Sequence, residues 1–130
     1  MAYEINPNAL KITLVAGADL SAAQFKFVKL NASGQAILCA AATDKPIGVL
    51  QNAPTSGQEA EVTVIGGTKV VLGGSVAEGA AVGTSAAGAG VALTVGTDTT
   101  KYLVGQALTE GASGEIITVV INCASAGRAA

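Results

Sequence analysis

Hydrophobic and polar positions alternate with a period of two along most of this chain, which is the signature of half-buried β-strands. Glu59 to Ile65 is the cleanest case: Ala60, Val62 and Val64 fall on one face and Glu59, Glu61 and Thr63 on the other. Further strands are predicted over Lys11 to Val15, Gln24 to Leu30, Gln35 to Cys39, Ile47 to Gln51, Thr68 to Leu72 and Val76 to Val82. Asn31-Ala32-Ser33-Gly34 reads as a hairpin turn. Asp44-Lys45-Pro46, Ala53 to Gly57 and Ser85 to Gly90 read as turns or loops, and Gly66-Gly67, Gly73-Gly74, Gly79 and Gly83 as strand punctuation. Ala18 to Ala23 is compatible with one helical turn, and nothing else has a helical period.

The pattern repeats. Gly48, Gly57, Val62 and Val64 recur as Gly105, Gly114, Val119 and Ile121, each 57 residues on (105 − 48). Less regularly, Thr43-Asp44 echoes Thr97-Asp98, Gly34 echoes Gly90, and Lys11 to Leu14 echoes Lys69 to Leu72. Glu115 to Ile121 is the mate of Glu59 to Ile65. It keeps Ile117, Val119 and Ile121 as the inward set but carries Ile116, Thr118 and Val120 outward, so it is apolar on both faces and belongs inside a sheet or at a subunit interface.

The expected fold is a single all-β domain, a small compact barrel or sandwich with little or no helix. Residues 1–9 form an N-terminal arm, in which Pro7 argues against a central strand. Residues 10–123 form the domain, with pseudo-repeats at about 10–66 and 67–123, and residues 124–130 form a tail expected to fray. Each half alone is near the size at which a core becomes marginal, so the halves are expected to share one.

Composition changes the picture in two ways. The chain has 130 residues, of which 50% are hydrophobic, 3% aromatic and 12% charged. Aliphatic side chains must therefore fill the interior, and so sparsely charged a surface favours burial against other protein, in a homo-oligomer or on a partner. The net charge of −2 and the scattered cations argue against nucleic acid. The amino terminus has no secretion-signal pattern and no stretch is long enough to span a membrane, so synthesis in a cytoplasm is expected.

Candidate chemistry is sparse. The sequence has no histidine, which removes the commonest general base and transition-metal ligand. Glu59 and Glu61 could do acid–base work but are equally an exposed polar face; Asp44 and Asp98 could hold a hard cation but are equally turn caps. No glycine is followed by lysine, Gly88-Ala89-Gly90 lacks the dinucleotide fingerprint, and Asn31-Ala32-Ser33 reads as a turn despite its glycosylation pattern. Lys26 and Lys29 around Phe27 are too few cations for a single-strand nucleic-acid platform. Cys39 and Cys123, in apolar strands without metal spacing, are expected to be reduced and buried. No enzyme activity, metal or cofactor is expected.

The run from Asp44 to Pro54, continuing through Gly57 to Val64 and Gly67 to Val71, resembles the capsid decoration (cement) proteins of tailed bacteriophages. Val104 to Leu108 with Gly114 to Ile121 is similar to the end of the same family. Ala80 to Ala89 is richer in alanine than that pattern, and the arm does not match it. The resemblance implies a structural virion protein, often a homotrimer, that is made in the host cytoplasm. It would bind the outer surface of the phage head and stabilise the lattice of its partner, the major capsid protein. Alternatives are a fibre or baseplate component or a surface-array subunit. Under this reading the arm either adds to a capsid sheet edge, with Tyr3 and Ile5 as anchors, or covers its own barrel.

Overall fold

The computed structural model describes residues 9–130. Its strands are β1 (Leu10–Val15), β2 (Phe27–Leu30), β3 (Ala36–Leu38), β4 (Gly48–Leu50), β5 (Glu59–Val71), β6 (Ala81–Thr84), β7 (Gly90–Leu93), β8 (Tyr102–Leu103), β9 (Gly105–Ala107), β10 (Ile116–Asn122) and β11 (Gly127–Arg128). The main sheet runs β3-β2-β4-β5-β10-β9-β6-β7, with β1 pairing β5 off that path, and all its ladders are antiparallel. The fold is all-β, as the alternation predicts.

The duplication extends to individual hydrogen bonds. Val28 pairs with Leu38 and Gly48 in the first repeat, and Val82 pairs with Ala92 and Gly105 in the second. Ile47 donates its N–H to the Val28 carbonyl at 2.8 Å, as Val104 does to Val82 at 2.9 Å. Each repeat curls into a half-barrel whose ends meet through one parallel bridge, Ala16 to Ala36 in the first and Leu72 to Gly90 in the second. The twin turns match as well. Asn31 and Ser85 side chains each accept backbone N–H bonds two and four residues ahead, and Gly34 and Gly88 hold φ of +74° and +77°. Gly34 therefore corresponds to Gly88, and Gly90 to Ala36. Likewise the ladders place Leu14 opposite Ala60 as Val70 lies opposite Ile117, so β1 matches β5 two residues away from the echo read in the sequence.

The strand that joins the repeats does so without a break. Gly66-Gly67 was predicted to end a strand, yet β5 runs through both glycines, its first half pairing with β1 and β4 and its second with β10. Gly66 has φ +125°, and a Cβ there would lie 2.7 Å from Ala9 Cβ; glycine bends the strand without interrupting it. Gly83 too lies inside a strand, because a Cβ would come within 2.7 Å of the Tyr102 carbonyl oxygen.

The core forms two clusters, one of which the two repeats share. Leu20, Val28, Leu50, Ala60 and Val62 pack with one another inside the first half-barrel. Their counterparts Val76, Val82, Ala107, Ile117 and Val119 fill the second, which also takes in Phe27, Cys39, Val49 and Val64 from the first repeat. Thr63, predicted to face solvent, is 1% exposed. The carboxyl end is paired, where the sequence predicts a free tail: β11 pairs with β8, Ala129 is buried, and a 3-10 turn covers Cys123–Ser125.

Candidate functional site

Several of the residues that might carry chemistry cap turns or pack in the core. Glu59 and Glu61 stand exposed on β5, opposite Val15 and Thr13, and the backbone beside them is held by Asn52, whose side chain donates to the Glu59 carbonyl at 2.9 Å and accepts from the Glu61 N–H at 3.0 Å. Asp44 accepts from the N–H groups of Ala40 and Ala41, and Lys29 Nζ lies 2.9 Å from its carboxylate. That lysine holds the Asp44 carboxyl below the usual carboxylate range. Asp98 accepts from the Thr94 N–H at 2.7 Å and pairs with Lys101 at 3.1 Å, and the backbone bond, first of all, lowers its pKa. The equivalent turns are thus capped by equivalent aspartates, each paired with a lysine from a different position in its repeat.

Cys39 and Cys123 are free and buried, and burial pushes both thiols up to about 12. They are poor nucleophiles in that state. Among the described residues, no group of three or more His, Cys, Asp or Glu gathers to hold a metal ion, and every buried side-chain nitrogen or oxygen has a hydrogen-bond partner. Phe25 and Phe27 do not form a stacking platform: Phe27 is fully buried, and Phe25 lies under Lys69 Nζ at 5.7 Å, inside the repeat junction. No helix among the described residues is long and apolar enough to cross a membrane. Tyr3 and Ile5, the candidate capsid anchors, lie outside the described residues.

What the surface offers is shape and apolar area. β10 sits inside the sheet between β5 and β9, as its two-faced sequence predicts, yet its outer side is open: Ile116 is 53% and Val120 44% exposed, with Leu108 exposed nearby. The same positions of the first repeat hold Glu59, Thr63 and Gln51. Beside Val120 runs a shallow groove of about 440 Å³, lined by Ala81, Leu103, Gln106, Asn122 and Ser125 among others. The apolar character of β10 was legible in the sequence; the groove was not, because its walls come from four segments that only the curl of the sheet assembles.

No family model matches the sequence, and the search of curated proteins returns no match. Among solved structures, the chain is similar to the N base of the head fibre protein gp8.5 of bacteriophage phi29, at 19% sequence identity and a TM-score of 0.63, over 88% of this chain and 94% of that one. At that identity the likeness establishes the fold.

Proposed function

We propose that this protein is a structural component of a phage virion, carried on the outer surface of the head and bound to the major capsid protein. The observation that carries this reading is the end-to-end likeness to a phage head fibre base, which leaves little of either chain outside the match. Two features support it. The described surface presents open apolar area and a shallow groove, and a protein whose task is adhesion to a lattice needs repeated modest contacts and no reactive group. Hydrolysis, transfer and redox chemistry have no residues assigned to them in this reading.

Two roles on the head are compatible with such a body. As a cement protein it would staple neighbouring capsid subunits, as a homotrimer at a point where they meet. As a fibre base it would seat a longer appendage, a reading favoured by the head-fibre identity of the similar structure. Co-sedimentation of the purified protein with heads that lack it tests both, with saturable binding as the expected result. Heads that then resist heat or osmotic shock mark a cement, and heads that bind the protein without gaining resistance mark a base. Failure to bind heads at any concentration overturns the proposal. Tyr3→Ala and Ile5→Ala in the same assay test the arm as the anchor, with weaker binding expected.

A further inference from the structure

The two repeats are alike in backbone but unequal in what covers them. On the first, the outer side of β2, β4 and β5 is sealed by the second repeat: Phe27 and Val49 are fully buried and Thr63 is 1% exposed. The seal consists of the Gly88 turn and the second half of β5. The Gly88 carbonyl accepts the Phe27 N–H at 2.7 Å, the Val71 N–H donates to the Phe25 carbonyl at 2.9 Å, and Gln51 Nε2 donates to Thr68 Oγ1 at 2.8 Å.

Register fixes the counterparts on the second repeat. Phe27, Val49 and Thr63 correspond to Ala81, Gln106 and Val120, and these three line the open groove. Among the described residues, nothing covers it as β5 covers the first repeat. After Ile65 the chain runs straight on through Gly66-Gly67, but after the corresponding Asn122 it turns away into the 3-10 segment, where the Asn122 side chain accepts the Ser125 N–H at 3.2 Å.

The covering elements also have uncovered counterparts, on the first repeat. The Gly88 turn is packed so closely that a Cβ would lie 2.5 Å from Leu38 Cδ1, whereas its twin Gly34 has nothing within 4 Å. Lys69 and Val71, at the junction, correspond to Thr13 and Val15 on β1, and Val15 is 46% exposed with Leu30 exposed beside the Gly34 turn. Among the described residues, one end of the molecule therefore carries an uncovered receiving face, and the other an uncovered inserting face of matched kind.

We infer that copies of this chain associate head to tail, the groove around Val120 of one copy receiving the β1 edge and Gly34 turn of the next, on the pattern of the junction inside each chain. The contact is heterologous, so it closes into a ring or grows into a filament according to the rotation it imposes. The occupant is a second copy because the junction within the chain is itself the template for the contact. The inference stands independently of the proposed role on the phage head.

Sedimentation velocity of the full chain over a range of concentrations tests it, together with Val120→Lys on the receiving face and Val15→Lys on the inserting face. Wild-type protein is expected to self-associate and each variant alone to be monomeric. An equimolar mixture of the two variants should give a dimer and nothing larger, since each retains the face the other has lost. Wild type that stays monomeric overturns the inference. So does a Val15→Lys protein that assembles as wild type does, since that marks a symmetric contact through β10 alone, and so does a mixture that stays monomeric. Because a variant could lose its fold, hydrogen exchange of the wild type supplies a second readout. Protection should rise with concentration at both residues 31–35 and residues 120–125, and a rise at one segment only counts against the head-to-tail contact.

Discussion

The repeat junction can be weighed by one matched pair of substitutions, Gly34→Ala and Gly88→Ala. Both glycines occupy the same turn position in the left-handed region, at φ +74° and +77°. An alanine at either site meets the same backbone penalty of about 1 kcal/mol. The surroundings differ completely. The new methyl at position 34 would enter open space, while at position 88 it would lie 2.5 Å from Leu38 Cδ1 and 3.1 Å from the Phe27 carbonyl oxygen. Leu38 can swing its methyl aside, but the Phe27 carbonyl belongs to the β2 backbone, and its own N–H is bound to the Gly88 carbonyl. Overpacking of that kind adds about 1–3 kcal/mol. Gly34→Ala is therefore expected to cost about 1 kcal/mol and Gly88→Ala about 2–4 kcal/mol, a large part of the roughly 5–15 kcal/mol that holds a domain together. Urea unfolding followed by circular dichroism, at a protein concentration where the chain is monomeric, measures both, with the difference read from the midpoints at constant slope. Equal losses for the two variants would refute the reasoning, since they would mean that the Gly88 turn does not bear on the first repeat. A second transition in Gly88→Ala alone would instead show that the junction couples two half-barrels able to melt separately.

Other expectations follow from the same geometry. A Cβ at Gly48 or Gly105 would lie 2.3 Å from the carbonyl oxygen of Thr63 or Val120, a backbone clash no rotamer relieves, so Gly48→Ala and Gly105→Ala should each cost at least about 3 kcal/mol; a urea midpoint near the wild-type value would contradict this. The Asp44 and Asp98 carboxyls are held below their ordinary range, so the stability they contribute is complete above a pH of about 4 and is lost as the pH falls further, through their lowered native values. Unfolding midpoints measured against pH should be flat in the neutral range and drop in acid, and Asp44→Asn should flatten that drop. The two thiols shift the other way. Below their ordinary 9.0 they are neutral folded or unfolded, and stability is lost as the pH climbs from there towards about 12, because only the unfolded chain ionises them freely. Alkylation by iodoacetamide should accordingly be slow in the native protein and fast in urea, and fast native labelling of Cys39 or Cys123 would show that their burial is not maintained.

How much could be read in advance depended on whether the deciding interaction was local. The strand faces of Glu59 to Ile65 and Glu115 to Ile121 were legible because alternation alone sorts inward from outward. Gly57 and Gly114 announced the duplication because a turn needs the same residue wherever it recurs. Thr63 was misread as exposed, since what buries it is the second repeat, folded over from beyond position 66, and no window around Thr63 contains that information. Gly66-Gly67 was misread as a stop for a related reason: glycine is both a breaker and the residue that lets two backbones approach, and the approach of Ala9 decides which. The tail looked unstructured because Gly127–Arg128 is too short to show a period and is paired by Tyr102–Leu103, more than twenty residues earlier. Of the candidate site, the apolar outer face of β10 was visible in the sequence, but the groove next to it was not.

The differences between the repeats separate what folding requires from what the surface is for. On the inner side the substitutions balance. Leu50 and Ala60 of the first half-barrel become Ala107 and Ile117 in the second, so bulk removed from one strand returns on its neighbour within the same core. Ala16 and Leu20 become Leu72 and Val76, again one larger and one smaller. On the outer side nothing balances: Gln51, Glu59 and Thr63 give way to Leu108, Ile116 and Val120, three polar residues to three apolar ones, all of them exposed on the single chain. Packing inside the second half-barrel does not require that change, and solubility opposes it. Val120, placed where Thr63 of the sibling repeat is covered by protein, is explained if it too is covered by protein, in the assembled state.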